Sequence, residues 1–307
     1  MIPWRSYAHR LARRSEQLLY DIRRRLGVFK KKEGNPLARV GVYVAYWDAS
    51  WIFEDHLRAM RDLASGPINY YVMANFRHPS ERAWFDGVIS RFGFPIPFYP
   101  WSKSPILTHG ESLQRLIEAT SDEIIVLCDV DAFPIKAGWD AWIIDELSRK
   151  DAVAVVVDMP GRDMPVFLHP SFIAFKRSLL LDNGLDVLTG EGNDPAYKIT
   201  QHLLRRGRLT LDHVTPLFPT HRAITLFPTG TSDLFGRSDL LHGFGTTYSD
   251  WVFHFWFGMF VARREEPKDF HGNRLLTLAE MDRVVQETQA WIRDRCSRGS
   301  AGVSRSG

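Results

Sequence analysis

The stretch Glu123-Ile-Ile-Val-Leu-Cys-Asp-Val-Asp-Ala-Phe-Pro134 decides how the rest of the chain is read. Five apolar residues, Ile124 to Cys128, run without a polar break and then meet Asp129-Val-Asp131. An unbroken apolar run of this length suits a strand covered on both faces, the usual condition inside a parallel sheet. In open α/β sheets ligands bind beyond the carboxyl end of such a strand. Two carboxylates one residue apart at that end are hard oxygen ligands for a divalent cation, and a cation held there can hold a diphosphate.

The flanking sequence alternates between strand and helix patterns. Val40 to Tyr46 reads as a strand. Phe53, Leu57, Met60 and Ala64 form a helical stripe, with Ser50 as its cap and Gly66 as its stop. Ile68 to Met73 is a second strand ending near Asn75, Glu81 to Arg91 a helix, and Phe94 to Phe98 a short extended piece. Thr108-His-Gly-Glu111 is a capping-box pattern ahead of Leu113, Leu116 and Ile117 on one face. After the acidic strand come a helix around Trp139 to Leu147 and strands at Ala152 to Val157 and Ser171 to Phe175. Asp194-Pro195 opens a further helix, with Asp194 as N-cap and Pro195 at the first helical position. Such alternation predicts an α/β fold, a largely parallel sheet with helices on both faces. Beyond Gly207 the pattern loosens into Gly- and Phe-rich segments, followed by a helix from about Leu278 to Arg295. The organisation expected is an arm and linker over 1–36, one catalytic domain over 37–295, and a disordered Ser-, Gly- and Arg-rich tail over 296–307.

Composition narrows the function classes. The two cysteines, Cys128 and Cys296, make neither a disulfide framework nor a metal-ligand pattern. The first residues lack the apolar core of a secretory signal, and no apolar stretch is long enough to span a bilayer. A cytoplasmic setting follows as the expectation. Charge is uneven: residues 1–32 hold ten Lys and Arg against Glu16 and Asp21, a net of +8 in a chain whose total is +3. The remaining residues therefore carry a net −5, and the basic character belongs to the arm. Its apolar positions, Trp4, Tyr7, Leu11, Leu18, Ile22 and Leu26, recur at helical spacing. A basic amphipathic helix of this kind suits the anionic inner face of a membrane, with a helix packed on the domain or on a partner as the alternative. With an acidic body and no recognition motif, nucleic acid is not expected as a partner.

The strand ending in Asp129-Val-Asp131 resembles the D-x-D arrangement of nucleotide-sugar-dependent glycosyltransferases with the GT-A fold. The resemblance spans roughly residues 38 to 262 and points to family 2-like members. It implies a Rossmann-type, mainly parallel sheet and a Mn²⁺ or Mg²⁺ ion bridging the phosphates of a nucleoside-diphosphate sugar. The implied acceptor is a hydroxyl of a glycan, lipid or small molecule, in polysaccharide or glycoconjugate synthesis. By the same resemblance Asp131 is the direct metal ligand, and Asp129 contacts the ribose or a bound water. His109 opens the helix that comes before the acidic strand, with its amino end towards the nucleotide. The segment His169 to Phe175 is similar to the strand that lines the donor and acceptor pocket. Trp251 to Trp256 resembles a late segment in which a His closes the metal shell, which points to His254, with His242 competing. The carboxyl ends of the first two strands, Ala45, Tyr46 and Asn75, are the expected nucleotide contacts.

A transferase that inverts at the anomeric carbon needs a base within reach of the acceptor hydroxyl. Glu191, between Gly190 and Gly192, is the first candidate, since Glu111 and Asp194 have helix-capping explanations. Asp194 follows, then Asp250. Two other classes compete. Haloacid-dehalogenase-like phosphatases also carry D-x-D after an apolar strand, but with a Thr where this chain has Phe133 and near the start of the domain. A non-catalytic sugar-nucleotide-binding module at a membrane is the third reading, motivated by the arm.

Overall fold

The computed structural model describes residues 32, 34–76, 79–99, 107–158, 166–188, 194–228, 235, 241–268 and 273–303. The basic arm lies outside the described residues apart from Lys32. The chain builds β1 (Val40–Trp47), α1 (Phe53–Asp62), β2 (Ile68–Asn75), α2 (Pro79–Phe92), β3 (Pro95–Phe98), α3 (His109–Glu118) and β4 (Ile124–Cys128). It continues through β5 (Ala132–Pro134), α4 (Trp139–Arg149), β6 (Ala152–Asp158), β7 (Val166–Lys176), α5 (Arg177–Leu181), α6 (Tyr197–Arg205) and β8 (Val214–Leu217). The last elements are β9 (Pro219–Pro228), β10 (Leu241–Tyr248), β11 (Val252–Phe255), α7 (Gly258–Arg263) and α8 (Leu278–Val303).

Seven strands form one sheet in the order β3-β2-β1-β4-β7-β6-β8. The pairs β3·β2, β2·β1, β1·β4 and β6·β8 are parallel, whereas β7 runs antiparallel to both β4 and β6. The mainly parallel α/β architecture expected from the sequence is therefore present, with β7 as the exception. Only residues 159–165 separate β6 from β7. A link that short cannot make the crossover of a dozen or more residues that a parallel neighbour requires.

All five residues of β4 are buried. Alternate strand residues divide between two core layers. Val40, Val42 and Val44 of β1 pack with α1, α4 and α8, while Tyr43 packs on the other face with Leu113, Leu116 and Ile117 of α3 and Ile199 and Leu203 of α6. Each fully buried large apolar side chain contributes about 1.5–3 kcal/mol relative to exposure. The capping box of α3 forms in both directions. The backbone N–H of Thr108 donates to Glu111 Oε2 at 2.8 Å, and that of Glu111 donates to Thr108 Oγ1 at 3.3 Å.

Four boundaries differ from the sequence reading. Helix α1 starts after Ile52 and takes no side-chain cap from Ser50. Helix α6 begins at Tyr197 behind an Ala196 cap, so Asp194 is not its N-cap. Helix α8 runs on to Val303, and Cys296 is buried in the core instead of opening a disordered tail. The region read as loose supplies β9, β10 and β11 of a second sheet, β5-β11-β10-β9, antiparallel throughout, to which β5 comes from the segment after the acidic turn. Its glycines, Gly243 and Gly245, interrupt the alternation that would have marked β10 in the sequence, and register shifts occur along that strand.

Among the described residues no helix is long and apolar enough to cross a membrane. On α2, Gly87 is exposed and a Cβ there would meet nothing within 4 Å. Glycine inside a helix costs roughly 0.5–1 kcal/mol relative to alanine. Gly87→Ala is therefore expected to raise unfolding stability by about that amount, read as a higher denaturant midpoint at unchanged slope; a lower midpoint would contradict the open surroundings.

Candidate metal and nucleotide site

The chain leaves β4 through a turn in which the Ala132 N–H donates to the Asp129 carbonyl at 3.0 Å. That turn is held on both sides. The Asp129 N–H donates to the Ser171 carbonyl on β7, and the Phe255 N–H donates to the Asp131 carbonyl, each at 3.0 Å. After the turn, β5 joins the second sheet and pairs with β11, where His254 lies opposite Ala132. One pairing thus brings a residue 123 positions beyond Asp131 to its side.

Asp129, Asp131 and His254 offer one ligand atom each, all within 4.8 Å of one another. His254 Nε2 lies 3.6 Å from Asp131 Oδ1, while its buried Nδ1 has no hydrogen-bond partner. Two carboxylate oxygens and an imidazole nitrogen form a donor set suited to Mn²⁺ or a similar ion, with further positions left for phosphate oxygens. A second feature fits the same use. A Cβ built on Gly258, at the start of α7, would overlap Asp131 Oδ2 outright and lie 2.8 Å from its Cγ. The carboxylate occupies the space that only glycine leaves open. Neighbouring Phe257 has φ of 67°, a left-handed conformation uncommon for a large side chain.

Burial pushes the Asp129 carboxyl above the ordinary carboxylate range. The Asp131 and Asp194 charges add to the rise, and His109 and His254 oppose it. His109 Nε2 is 3.3 Å from Asp129 Oδ1. Two carboxylates side by side at a partly buried place, with the more distant Asp194 charge adding to the repulsion, favour a cation there. Burial drives His169 well below its usual range and His242 down to about 4, with the charge of His254 as a further cause. Both rings are therefore neutral near pH 7.

A cavity of about 450 Å³ opens above this cluster, and Ala45, Trp47, Asn75, His109, His169 and Trp256 are among its lining residues. Several expectations from the sequence are corrected here. Tyr46 is fully buried on the other side of β1, where its ring packs on Phe53, Phe76 and Phe85 and its hydroxyl donates to Glu81. It is a core residue, whereas Ala45, also expected at the site, lines the cavity together with Trp47. Asn75 does line the cavity, but its amide works as a brace. Its Oδ1 accepts from the Leu107 N–H at 3.1 Å and its Nδ2 donates to Ser112 Oγ at 3.3 Å. His242 stands behind Trp256, with Nδ1 2.8 Å from the Tyr248 hydroxyl, and is not among the cavity-lining residues or the three clustered ligands. Asp250 is an exposed turn residue that accepts from the Thr220 hydroxyl at 3.0 Å. Glu191 lies outside the described residues; Asp194 is exposed and close enough to influence Asp129.

The sequence reading missed Trp47 and Gly258. A fixed face assignment for β1 would have found Trp47. No local signal marks Gly258, whose requirement comes from a side chain 127 positions away.

No known family profile matches the sequence, and no curated protein does. The chain is similar to several solved structures. TarS residues 1–349 of S. aureus with UDP-GlcNAc aligns at 13% identity and a TM-score of 0.42, covering 58% of this chain and 56% of that one. Glucosyl-3-phosphoglycerate synthase from Mycobacterium tuberculosis with phosphoglyceric acid gives 17% and 0.42, over 59% and 69% of the two chains. Mannosyltransferase PcManGT from Pyrobaculum calidifontis with GDP-Man and Mn²⁺ gives 16% and 0.46, over 98% and 85%. The chain thus spans little more than half of the TarS fragment, and its functional reading rests on the site's own geometry.

Proposed function

We propose that the protein is a metal-dependent glycosyltransferase that moves a sugar from a nucleoside diphosphate to a hydroxyl of a glycan, lipid or small molecule. The observation that supports it most is the meeting of Asp129, Asp131 and His254 at the carboxyl end of a central strand, under a cavity of about 450 Å³. Asp131 and His254 would hold the cation, and Asp129 would serve as its second carboxylate or as a ribose contact. When bound, a divalent ion supplies charge neutralisation for the departing diphosphate. His109, first residue of α3, sits where helix N–H groups favour an anion. Ala45 and Trp47, with Asn75 bracing Leu107, receive the nucleoside.

In the transfer, the bond from the anomeric carbon to the diphosphate oxygen breaks and its electron pair leaves with the diphosphate. The acceptor oxygen bonds to the anomeric carbon and gives its proton to a base. Glu191 and Asp194 are the proposed bases, and Asp194 has the support of its electrostatic reach to Asp129. The phosphatase reading loses ground to the position of β4, fourth in sequence and inside the sheet, and to the buried Phe133 where a hydroxyl would be needed. The basic arm remains a proposed contact with anionic membrane.

Thermal melting with UDP, GDP, dTDP and CMP, each with and without Mn²⁺, tests the proposal. A ligand present at 100 times its dissociation constant stabilises the native state by about 2.7 kcal/mol. A shift of roughly 5 °C or more with one nucleotide, seen only with Mn²⁺, is expected. No shift with any of the four would overturn the assignment.

A further inference from the structure

We propose that His169 is a specificity-determining residue that reads the transferred sugar through a fixed Nε2–H donor. The inference rests on the transferase reading above and extends it to the sugar end of the donor. It begins with an irregularity in the sheet. The register between β6 and β7 jumps from Ala154↔Ile173 to Val155↔His169, so that Pro170, Ser171 and Phe172 bulge between them. Bulges re-aim side chains beside functional sites, and Pro170 has no N–H to lose at such a place. Here the bulge turns His169 into the cavity wall, where the ring is half-buried, 4.9 Å from the indole of Trp256 and 6.0 Å from the ring of His254.

The same bulge settles which nitrogen of His169 carries the proton. The Ser171 N–H donates to His169 Nδ1 at 3.1 Å. A ring nitrogen that accepts is unprotonated, so the neutral imidazole must carry its hydrogen on Nε2. His169 is thereby a donor and not a base. The carbonyl of Ser171 meanwhile accepts from the Asp129 N–H. A single residue of β7 thus fixes both the tautomer of His169 and the turn that presents the metal-binding carboxylates.

Sheet order indicates what His169 meets. Strand β4 lies between β1 and β7. The proposed nucleoside contacts stand at the ends of β1 and β2, and the metal group stands at the end of β4. With its nucleoside at the β1 and β2 side, as proposed above, a diphosphate bound at the end of β4 would direct its sugar to the opposite side, towards β7. His169, one ring beyond His254, is placed for a sugar hydroxyl. A site built to donate to a substrate hydroxyl discriminates against compounds that lack it, because the donor, cut off from water by the bound compound, would be left unpaired.

Two ligand pairs test this with Mn²⁺ present: UDP against UDP-glucose and GDP against GDP-mannose, using whichever pair binds wild type. His169→Phe keeps the ring volume and removes the donor. It is expected to weaken the nucleotide sugar about 10-fold while leaving the free diphosphate within about twofold. His169→Gln, which can place an amide N–H near the Nε2 position, should recover most of the lost affinity. If the Phe variant does not fold, His169→Asn, whose amide stops short of Nε2, carries the same expectation. Equal weakening of sugar and diphosphate would make His169 a prop for the metal turn and overturn the proposal. No change in either would overturn it as well. If wild type binds neither UDP nor GDP, the nucleotide that does shift its melting and the matching nucleotide sugar take their place; if none of the four nucleotides binds, the transferase reading itself fails and takes this assignment with it, whereas a wild type that binds while His169→Phe is unchanged removes only His169.

Discussion

Asp131→Asn is expected to abolish Mn²⁺-dependent binding of a nucleoside diphosphate while the protein still folds. The substitution keeps the shape of the side chain and removes one of the two negative charges from the cluster of Asp129, Asp131 and His254. Loss of a group that merely orients a metal ligand costs roughly 10–100-fold in affinity, so loss of a charged ligand itself should cost about 100-fold or more. The fold has reason to survive. Asp131 is one of the charges that push the Asp129 carboxyl upwards, so its neutralisation relieves a like-charge repulsion in the metal-free protein. Melting without metal should therefore stay level or rise slightly, while the nucleotide-induced shift disappears. Titration of Mn²⁺ by electron paramagnetic resonance, followed by melting with the nucleotide identified on wild type, reads both halves. A variant that still binds nucleotide in a Mn²⁺-dependent way would show that Asp131 is not a ligand.

Gly258→Ala should damage the same site from the other side. The added Cβ takes the volume now held by Asp131 Oδ2 and would lie 2.8 Å from Cγ, so the carboxylate must swing away. The turn cannot follow freely, because the Asp131 carbonyl is bonded to the Phe255 N–H and the Asp129 N–H to Ser171. A displacement on the order of 1 Å at a reacting group costs about 100-fold in rate. Overpacking of this kind also destabilises by about 1–3 kcal/mol. The expected result is a folded protein with strongly weakened Mn²⁺ affinity and turnover. Gly87→Ala, an open site on α2, is the matched control and should leave both untouched. Wild-type Mn²⁺ affinity in Gly258→Ala would mean that Asp131 binds the ion in another orientation, or not at all.

Much of the first half of the fold was legible from local pattern. Helix α3 is the clearest case: Thr108 and Glu111 announce its start, and Leu113, Leu116 and Ile117 its buried face. The strands β1, β2 and β4 were legible as apolar runs, because a strand covered on both faces has no polar positions to disguise it. That virtue was also the source of an error. When both faces of β1 are apolar, the sequence carries the two-residue period but not its phase, so Ala45 and Tyr46 are both expected at the cavity, whereas only Ala45 lies there, with Trp47 beside it and Tyr46 in the core. Asp194 was misread for a different reason. Asp-Pro is a common helix opening, but here the helix starts at Tyr197 and leaves Asp194 exposed, within electrostatic reach of Asp129.

That Asp129 and Asp131 end a buried strand is readable along the chain alone, because apolar length and two adjacent-but-one carboxylates are local facts that no distant contact needs to complete. Three features emerge only when the chain is folded: His254 joins them, Gly258 makes room for Asp131, and His169 lines the cavity with its Nδ1 accepting from the Ser171 N–H. Each of these depends on a pairing between segments far apart in the chain: β5 against β11, α7 against the acidic turn, and β7 inserted antiparallel beside β4. Strand register and close approach are set by which surfaces pack, and one-dimensional spacing carries no record of that choice.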